Sequence, residues 1–203
     1  MFQAVKTCMK QNKKIAITGG IGSGKSAVSQ ILASKGYFVL DCDQITKQLY
    51  QKQRTTEQIA TNFGDEFVEN GKVDTKKLGA HIFADQSRVE KLNAIMHPLI
   101  FDELDRQINE SDQSVVFVQI PLLFETGMQN QFDDVWLVVA DEQTRISRVV
   151  VRDNLDVEQI KNRIKNQMDD EKKSKLVHTI IKNNGTLAEL ECAVDECIKR
   201  LSV

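Results

Sequence analysis

The sequence predicts an α/β fold, a parallel sheet of about five strands flanked by helices. Three observations predict it. Short apolar runs recur along the chain, segments with apolar residues at helical spacing separate them, and a glycine-rich turn joins the first run to the first helix.

Lys14-Ile-Ala-Ile-Thr18 is the first run and reads as a buried parallel strand, ending in Gly19-Gly20. Val28, Ile31 and Leu32 then recur at helical spacing, with Gly36 placed to end that helix. Tyr37-Phe-Val-Leu40 is a second apolar strand, finishing at Asp41-Cys42-Asp43. Strand, helix and strand in so short a span make a βαβ unit. From Gln44 to about Asp112, residues such as Leu78, Ile82, Leu92, Ile95 and Ile100 stand at helical intervals with few β-branched clusters, which predicts a helical insertion. Val115-Val-Phe-Val-Gln-Ile120 and Val135-Trp-Leu-Val-Val139 are two further strands. Two helices are expected between Asp141 and Lys173, the second opening at Asp156 with Gln159 placed for a capping box. His178-Thr-Ile-Ile181 reads as the last strand. Thr186 and Glu189 form another capping box, heading an amphipathic helix with Leu187, Leu190, Val194, Cys197, Ile198 and Leu201 on one side.

The turn after the first strand carries chemistry. Gly19-Gly-Ile-Gly-Ser-Gly24-Lys25-Ser26 matches G-x-x-x-x-G-K-[ST] in full. Its glycines let the backbone turn so that N–H groups form a concave anion site, and the helix beginning near Lys25 adds its positive end. A glycine-rich turn can merely join a strand to a helix. The full motif in this setting instead marks the phosphate loop of the P-loop NTPase fold. The nucleotide-binding candidates are Gly20, Ile21, Gly22, Ser23, Gly24, Lys25, Ser26 and Ala27. Lys25 is placed to neutralise the outer phosphates, and the Ser26 hydroxyl to ligate Mg²⁺.

Asp41 and Asp43 follow the second strand, and strand ends of a parallel sheet open onto one crevice, so this turn is expected to face the phosphate loop. A phosphoryl acceptor hydroxyl needs a carboxylate to orient it and take its proton. Asp43 is the first candidate and Asp41 the second; either could equally cap the next helix. Arg145, Arg148 and Arg152 share one face of a predicted helix, and Arg163 and Gln167 share a face of the next. They suit a lid whose guanidinium groups close on phosphates. The alternative is a solvated face whose arginines pair with Asp141, Asp153 and Asp156.

The formal charge of −2 gives no electrostatic reason to expect nucleic acid, so anion binding has to be local. Cys8, Cys42, Cys192 and Cys197 include no C-x-x-C pair and stand far from His81, His97 and His178, which argues against zinc and against a disulfide framework. Met1 to Lys14 holds lysines but no continuous apolar run, so it does not read as a secretory signal. No stretch approaches the roughly 20 apolar residues of a membrane span. The expected setting is cytoplasmic, with no membrane and no nucleic-acid partner.

Taken in order, Thr18-Gly-Gly-Ile-Gly-Ser-Gly-Lys-Ser26, Asp41-Cys-Asp43, Leu92-Asn-Ala-Ile-Met-His97-Pro98 and Pro121-Leu-Leu-Phe-Glu125 resemble the motifs of dephospho-coenzyme A kinases. The likeness continues through Arg148, Arg152-Asp153, Arg163 with Gln167, and Asn183-Asn-Gly185, covering nearly the whole chain beyond the N-terminal extension. It implies ATP as phosphoryl donor, Mg²⁺, and transfer to the 3′-hydroxyl of dephospho-coenzyme A, the last step of coenzyme A synthesis. The length of 203 residues fits a single kinase domain, expected as a monomer or weak homo-oligomer. Its core is about residues 14–43, 113–140 and 174–203, with a helical coenzyme-binding lobe at 44–112 and an arginine-rich helical lid at 141–173. Lys25, Asp43, Arg148 and Arg152 would then be catalytic, and Asp43 and His97 would meet the acceptor. His97-Pro98 could instead be a helix-ending turn. The pattern departs at Gln119, where many relatives carry aspartate, at Thr75 and Arg145, and at Val177-His178. The rival readings are another small-molecule or nucleotide P-loop kinase, or a nucleotide-switch ATPase. A GTPase would show an Asn-Lys-x-Asp motif, which Asn183-Asn-Gly185 is not.

Overall fold

The computed structural model describes residues 12–201. The opening segment up to residue 11, with Cys8, lies outside the described residues, as does the part of the signal-peptide reading that rests on it. In chain order the elements are β1 (Lys13–Thr18), α1 (Lys25–Ser34), β2 (Phe38–Asp41), α2 (Cys42–Leu49), α3 (Gln53–Phe63), β3 (Val68–Glu69), β4 (Lys72–Val73), α4 (Thr75–Ile82) and α5 (Gln86–Asn109). They continue with β5 (Val115–Gln119), β6 (Asp134–Val139), α6 (Glu142–Asp153), α7 (Val157–Lys165), α8 (Asp170–Ser174), β7 (Thr179–Lys182) and α9 (Leu187–Arg200). They fall into two compact units, one of residues 12–39 with 108–201, the other of residues 40–107.

The five-stranded sheet runs in the order β2-β5-β1-β6-β7 and is parallel. The central β1 pairs with β5 through Ile15↔Phe117 and Ile17↔Gln119, and with β6 through Ile17↔Trp136 and Thr18↔Leu137. Alternate side chains of a strand point to opposite faces, so continuous apolar strands need cover on both. Ile15, Ile17, Phe117, Trp136 and Val138 share one cluster with Val28, Ile31 and Leu32 of α1 and Leu190 and Val194 of α9. Their alternates Ala16, Val116, Val118 and Leu137 are equally inaccessible. Within the cluster the Phe117 ring meets Trp136 edge-on at 5.0 Å and Tyr37 at 5.3 Å. Truncating Trp136, 1% exposed, to alanine would cost roughly 3–5 kcal/mol on the scale of such core deletions.

The capping box that opens α9 is formed. Glu189 N donates to Thr186 Oγ1 at 3.3 Å, and Thr186 N donates to Glu189 Oε2 at 2.7 Å. Leu190, Val194, Cys197 and Leu201 face the core as expected, but Leu187 is 65% exposed. It stands in the first turn, before the helix reaches the sheet with its apolar side.

In the second unit the expected all-helical insertion holds α2 to α5 and also a small antiparallel hairpin, β3 with β4, pairing Val68↔Val73 and Glu69↔Lys72. Its two-residue turn is Asn70-Gly71, with φ of 51° and 72°. Positive φ at both central positions is the requirement of a type I′ turn, which Asn-Gly meets at least cost. Two-residue strands are too short to show a period, so helical spacing hid them. Phe67 and Val73 pack with Ile59, Leu78 and Ile82. In α5, Pro98 lies inside the helix, so His97-Pro98 is not a helix-ending turn.

Candidate active site

Between β1 and α1 the loop from Gly19 to Gly24 turns the chain from strand to helix. Gly24 occupies the N-cap position with φ of 100°, a left-handed conformation that costs glycine nothing. Its carbonyl accepts from Ala27 N at 3.0 Å and Val28 N at 3.2 Å, and a Cβ there would overlap the Asn183 amide. The first turn of α1 contains no acidic residue, so nothing on the helix cancels the positive end of its dipole. The Lys25 ammonium folds back over the loop, donating to Gly19 O at 2.8 Å and Gly20 O at 3.0 Å. Ser26 is exposed in the same first turn. A concave backbone, an uncancelled helix dipole and an ammonium converge at one place, which is what a polyphosphate needs.

Residues far along the chain hold this loop. Asn183, 6% exposed at the end of β7, donates from Nδ2 to Ser23 O at 2.8 Å, and its own N–H donates to Val139 O at 2.8 Å. Arg148 donates to Asn183 O at 3.0 Å and to Asn183 Oδ1 at 3.3 Å, so its guanidinium is steered to the side of the loop next to Gly24. Asn184 Oδ1 accepts from Asp141 N at 2.9 Å, at the head of α6. The Asn-Asn pair therefore ties the last strand both to the phosphate loop and to α6.

The arginine stripe of α6 is not one face with one environment. Arg145 is 7% exposed, donating from Nε to Ile21 O at 2.9 Å and pairing with Asp170 at 2.8 Å. A side chain at residue 20 would collide with that guanidinium, which is why glycine stands there. Arg152 is exposed and paired with Asp153 at 2.7 Å, one of the pairings expected for a solvated face. Arg163 is exposed on α7, whereas Gln167 lies past the end of that helix, its Oε1 accepting from Ile21 N at 2.8 Å. Of the acids expected as partners on a solvated face, Asp153 pairs with Arg152, while Arg145 takes Asp170, which was not among them. The segment also forms three helices rather than two, because Asp169 caps the extra α8 by accepting from Glu171 N at 2.7 Å.

Asp41 and Asp43 separate cleanly. Asp41 is the N-cap of α2, its Oδ1 accepting from Asp43 N at 2.9 Å and Gln44 N at 3.4 Å. Asp43 is exposed in the first turn of that helix. Between them the Cys42 thiol is buried, and burial together with the neighbouring Asp43 charge pushes it up to about 11, so it stays protonated. His97 is half-buried on α5 against the Phe101 ring at 6.4 Å, and burial lowers its affinity for a proton. At the end of β5, Gln119 accepts from Ser29 Oγ at 2.9 Å, a neutral amide where a carboxylate would add charge.

Sequence reasoning missed Asn183, Arg145 and Gln167 as supports of the loop. The pattern Asn183-Asn-Gly185 just after an apolar strand was the available signal, since an amide at a strand end can bond backbone that approaches from elsewhere.

A phosphate loop at the end of the central strand of a parallel sheet, with an ammonium over it and arginines behind it, belongs to the P-loop kinases. The comparisons narrow the class. The family profile described as dephospho-CoA kinase matches residues 13–189, and this chain belongs to the dephospho-CoA kinase family. A dephospho-CoA kinase of Fusobacterium nucleatum is 36% identical over 177 residues, covering 87% of this chain and 92% of the relative. A solved Thermus thermophilus structure superposes with a TM-score of 0.84 at 34% identity, covering 95% of this chain and all of that one. A dephospho-CoA kinase structure from Campylobacter jejuni gives 0.67 at 27% identity, covering 93% and 96% respectively. These findings do not favour the rival readings as a different kinase or a switch ATPase.

Proposed function

We propose that the chain transfers the γ-phosphoryl group of ATP to the ribose 3′-hydroxyl of dephospho-coenzyme A, giving coenzyme A and ADP. The observation that carries this reading is the family match across residues 13–189, on a chain whose phosphate loop is complete through Lys25 and Ser26.

Phosphoryl transfer spreads negative charge over the equatorial oxygens, so the protein's part is positioning and charge stabilisation. In this reading Gly20 to Ala27 bind the nucleotide, and Lys25 meets the outer phosphates. Arg148, oriented by Asn183, supplies a second cation, with Arg152 as a further one once released from Asp153. Asp43 orients the acceptor hydroxyl and takes its proton. Asp41, whose Oδ1 caps α2, is the second candidate for that role. His97, with lowered proton affinity, meets the acceptor as a neutral imidazole. Residues 44–112 serve as the acceptor lobe and 141–173 as the lid.

The donor set suits Mg²⁺ held mainly by phosphate oxygens and water. Ser26 offers one hydroxyl, and no group of three or more His, Cys, Asp or Glu residues suited to a metal occurs among the described residues. When bound, the ion would neutralise charge on the phosphates. No helix among the described residues is long and apolar enough to cross a membrane. The setting proposed is cytoplasmic, the usual one for this family.

The test is an acceptor screen with ATP and Mg²⁺, the product identified by mass. Dephospho-coenzyme A should give coenzyme A, and EDTA should stop the reaction. Shikimate, pantothenate and nucleoside monophosphates should be poor acceptors; a higher kcat/KM with any of them would overturn the assignment.

A further inference from the structure

The phosphate loop bonds to polar groups from distant parts of the chain. Two of them meet Ile21 from opposite sides. Its N–H donates to Gln167 Oε1 at 2.8 Å, and its carbonyl accepts from Arg145 Nε at 2.9 Å. These groups belong to the two successive peptide planes that flank Ile21, so fixing both fixes the φ and ψ between them. The Arg145 guanidinium is planar and forked, and its other arm reaches Asp170 Oδ2 at 2.8 Å while it lies against Gly20.

Asp170 is itself held. It stands in the first turn of α8, and one turn on, the fully buried Lys173 pairs with Glu125 at 2.9 Å. Glu125 Oε1 also accepts from Met168 N at 2.9 Å, between Gln167 and α8. The run Pro121-Leu-Leu-Phe-Glu125 thus ends in a carboxylate that pins the segment from which both Gln167 and Asp170 project.

We propose that Gln167 and Arg145 are positioning residues for ATP, gripping the two peptide groups that flank Ile21 so that the loop meets the phosphates already ordered. Neither needs to touch the nucleotide. Their effect is the ordering cost that the loop no longer bears on binding. The inference rests on ATP being the donor and is independent of which acceptor is used.

The experiment is a calorimetric titration of ADP, without any acceptor, into the full chain and into Gln167→Met and Arg145→Lys. Methionine keeps length and removes the acceptor; lysine keeps the charge facing Asp170 and loses the second arm. Each variant should bind ADP roughly five- to tenfold more weakly, the scale of one or two hydrogen bonds. The double variant should fall short of the product, because both bonds fix the backbone of the same residue, Ile21. In turnover assays the larger change should be in KM for ATP rather than in kcat. A folded Gln167→Met that binds ADP within twofold of the parent overturns the proposal, as does a lowered Tm with no change in Kd. If Arg145→Lys does not fold, Gln167→Met decides alone. Loss of the assigned acceptor activity would leave the ADP titration readable.

Discussion

Asn183 Nδ2 donates to the carbonyl of Ser23 at 2.8 Å, across 160 residues of sequence, and the bond is buried. The last strand of the sheet thereby supports the turn at the end of the central one. Leucine at this position matches the size of asparagine and removes both the donor and the acceptor. Asn183→Leu should lower stability by about 1–3 kcal/mol, since the Ser23 carbonyl is left buried without its donor. It should also raise KM for ATP, because Arg148 loses one of its two bonds to residue 183 and keeps only the backbone one. Chemical denaturation and steady-state kinetics on one preparation test both; an unchanged KM would confine Asn183 to stability.

Lys25 lies over the loop carbonyls within hydrogen-bond reach of Gly19 and Gly20. Lys25→Met should cut turnover at least a hundredfold, about 2.7 kcal/mol of transition-state stabilisation, while the circular dichroism spectrum is kept. Near-normal turnover in the folded variant would remove Lys25 from the mechanism.

The two aspartates after β2 give opposite expectations. Asparagine is as good an N-cap as aspartate, so Asp41→Asn should be mild in both stability and rate, and Asp41→Ala should cost about 1 kcal/mol. Asp43→Asn should lower kcat by roughly 10² to 10⁴ and leave ATP affinity within a few-fold. The reverse ranking of the two asparagine variants would show that the wrong carboxylate has been assigned.

Glu103 is buried on α5, receiving hydrogen bonds from Arg106, Gln107 and Lys52, which hold it down at about 2. Its unfolded-state value is near 4.5. A depressed acid stabilises the fold fully above its unfolded value and loses that contribution as pH falls toward its folded one. The Tm difference between the parent and Glu103→Gln should therefore be full above about pH 5 and shrink between 4.5 and 2. A difference that stays constant across that window would assign the effect to packing rather than charge.

The sheet and the phosphate loop were legible because each depends on local pattern. Apolar runs mark buried strands at any position, and G-x-x-x-x-G-K-S is contiguous. What supports the loop was not legible, because Asn183, Gln167 and Arg145 reach it from 124 to 160 residues away. Arg145 misled most. Its i, i+3, i+7 spacing with Arg148 and Arg152 is real, yet helical position says nothing about which member meets a half-buried carboxylate on another element. The β3–β4 hairpin was readable in principle from Asn70-Gly71. Its two-residue strands are too short to show an alternating pattern of their own.

The strand order has a consequence for how the chain is made. β1 is the centre of the sheet, but its neighbours are β5 and β6, whose partner residues lie about a hundred or more positions later. As the protein leaves the ribosome, Ile15, Ala16 and Ile17 emerge about a hundred residues before either flank of the strand can pair. Residues 40–107, by contrast, are contiguous and find their partners among recent arrivals. Long-range parallel pairing is slow and leaves apolar strand exposed meanwhile. Until β5 and β6 arrive, β1 is an unpaired apolar strand for which chaperone protection during synthesis matters.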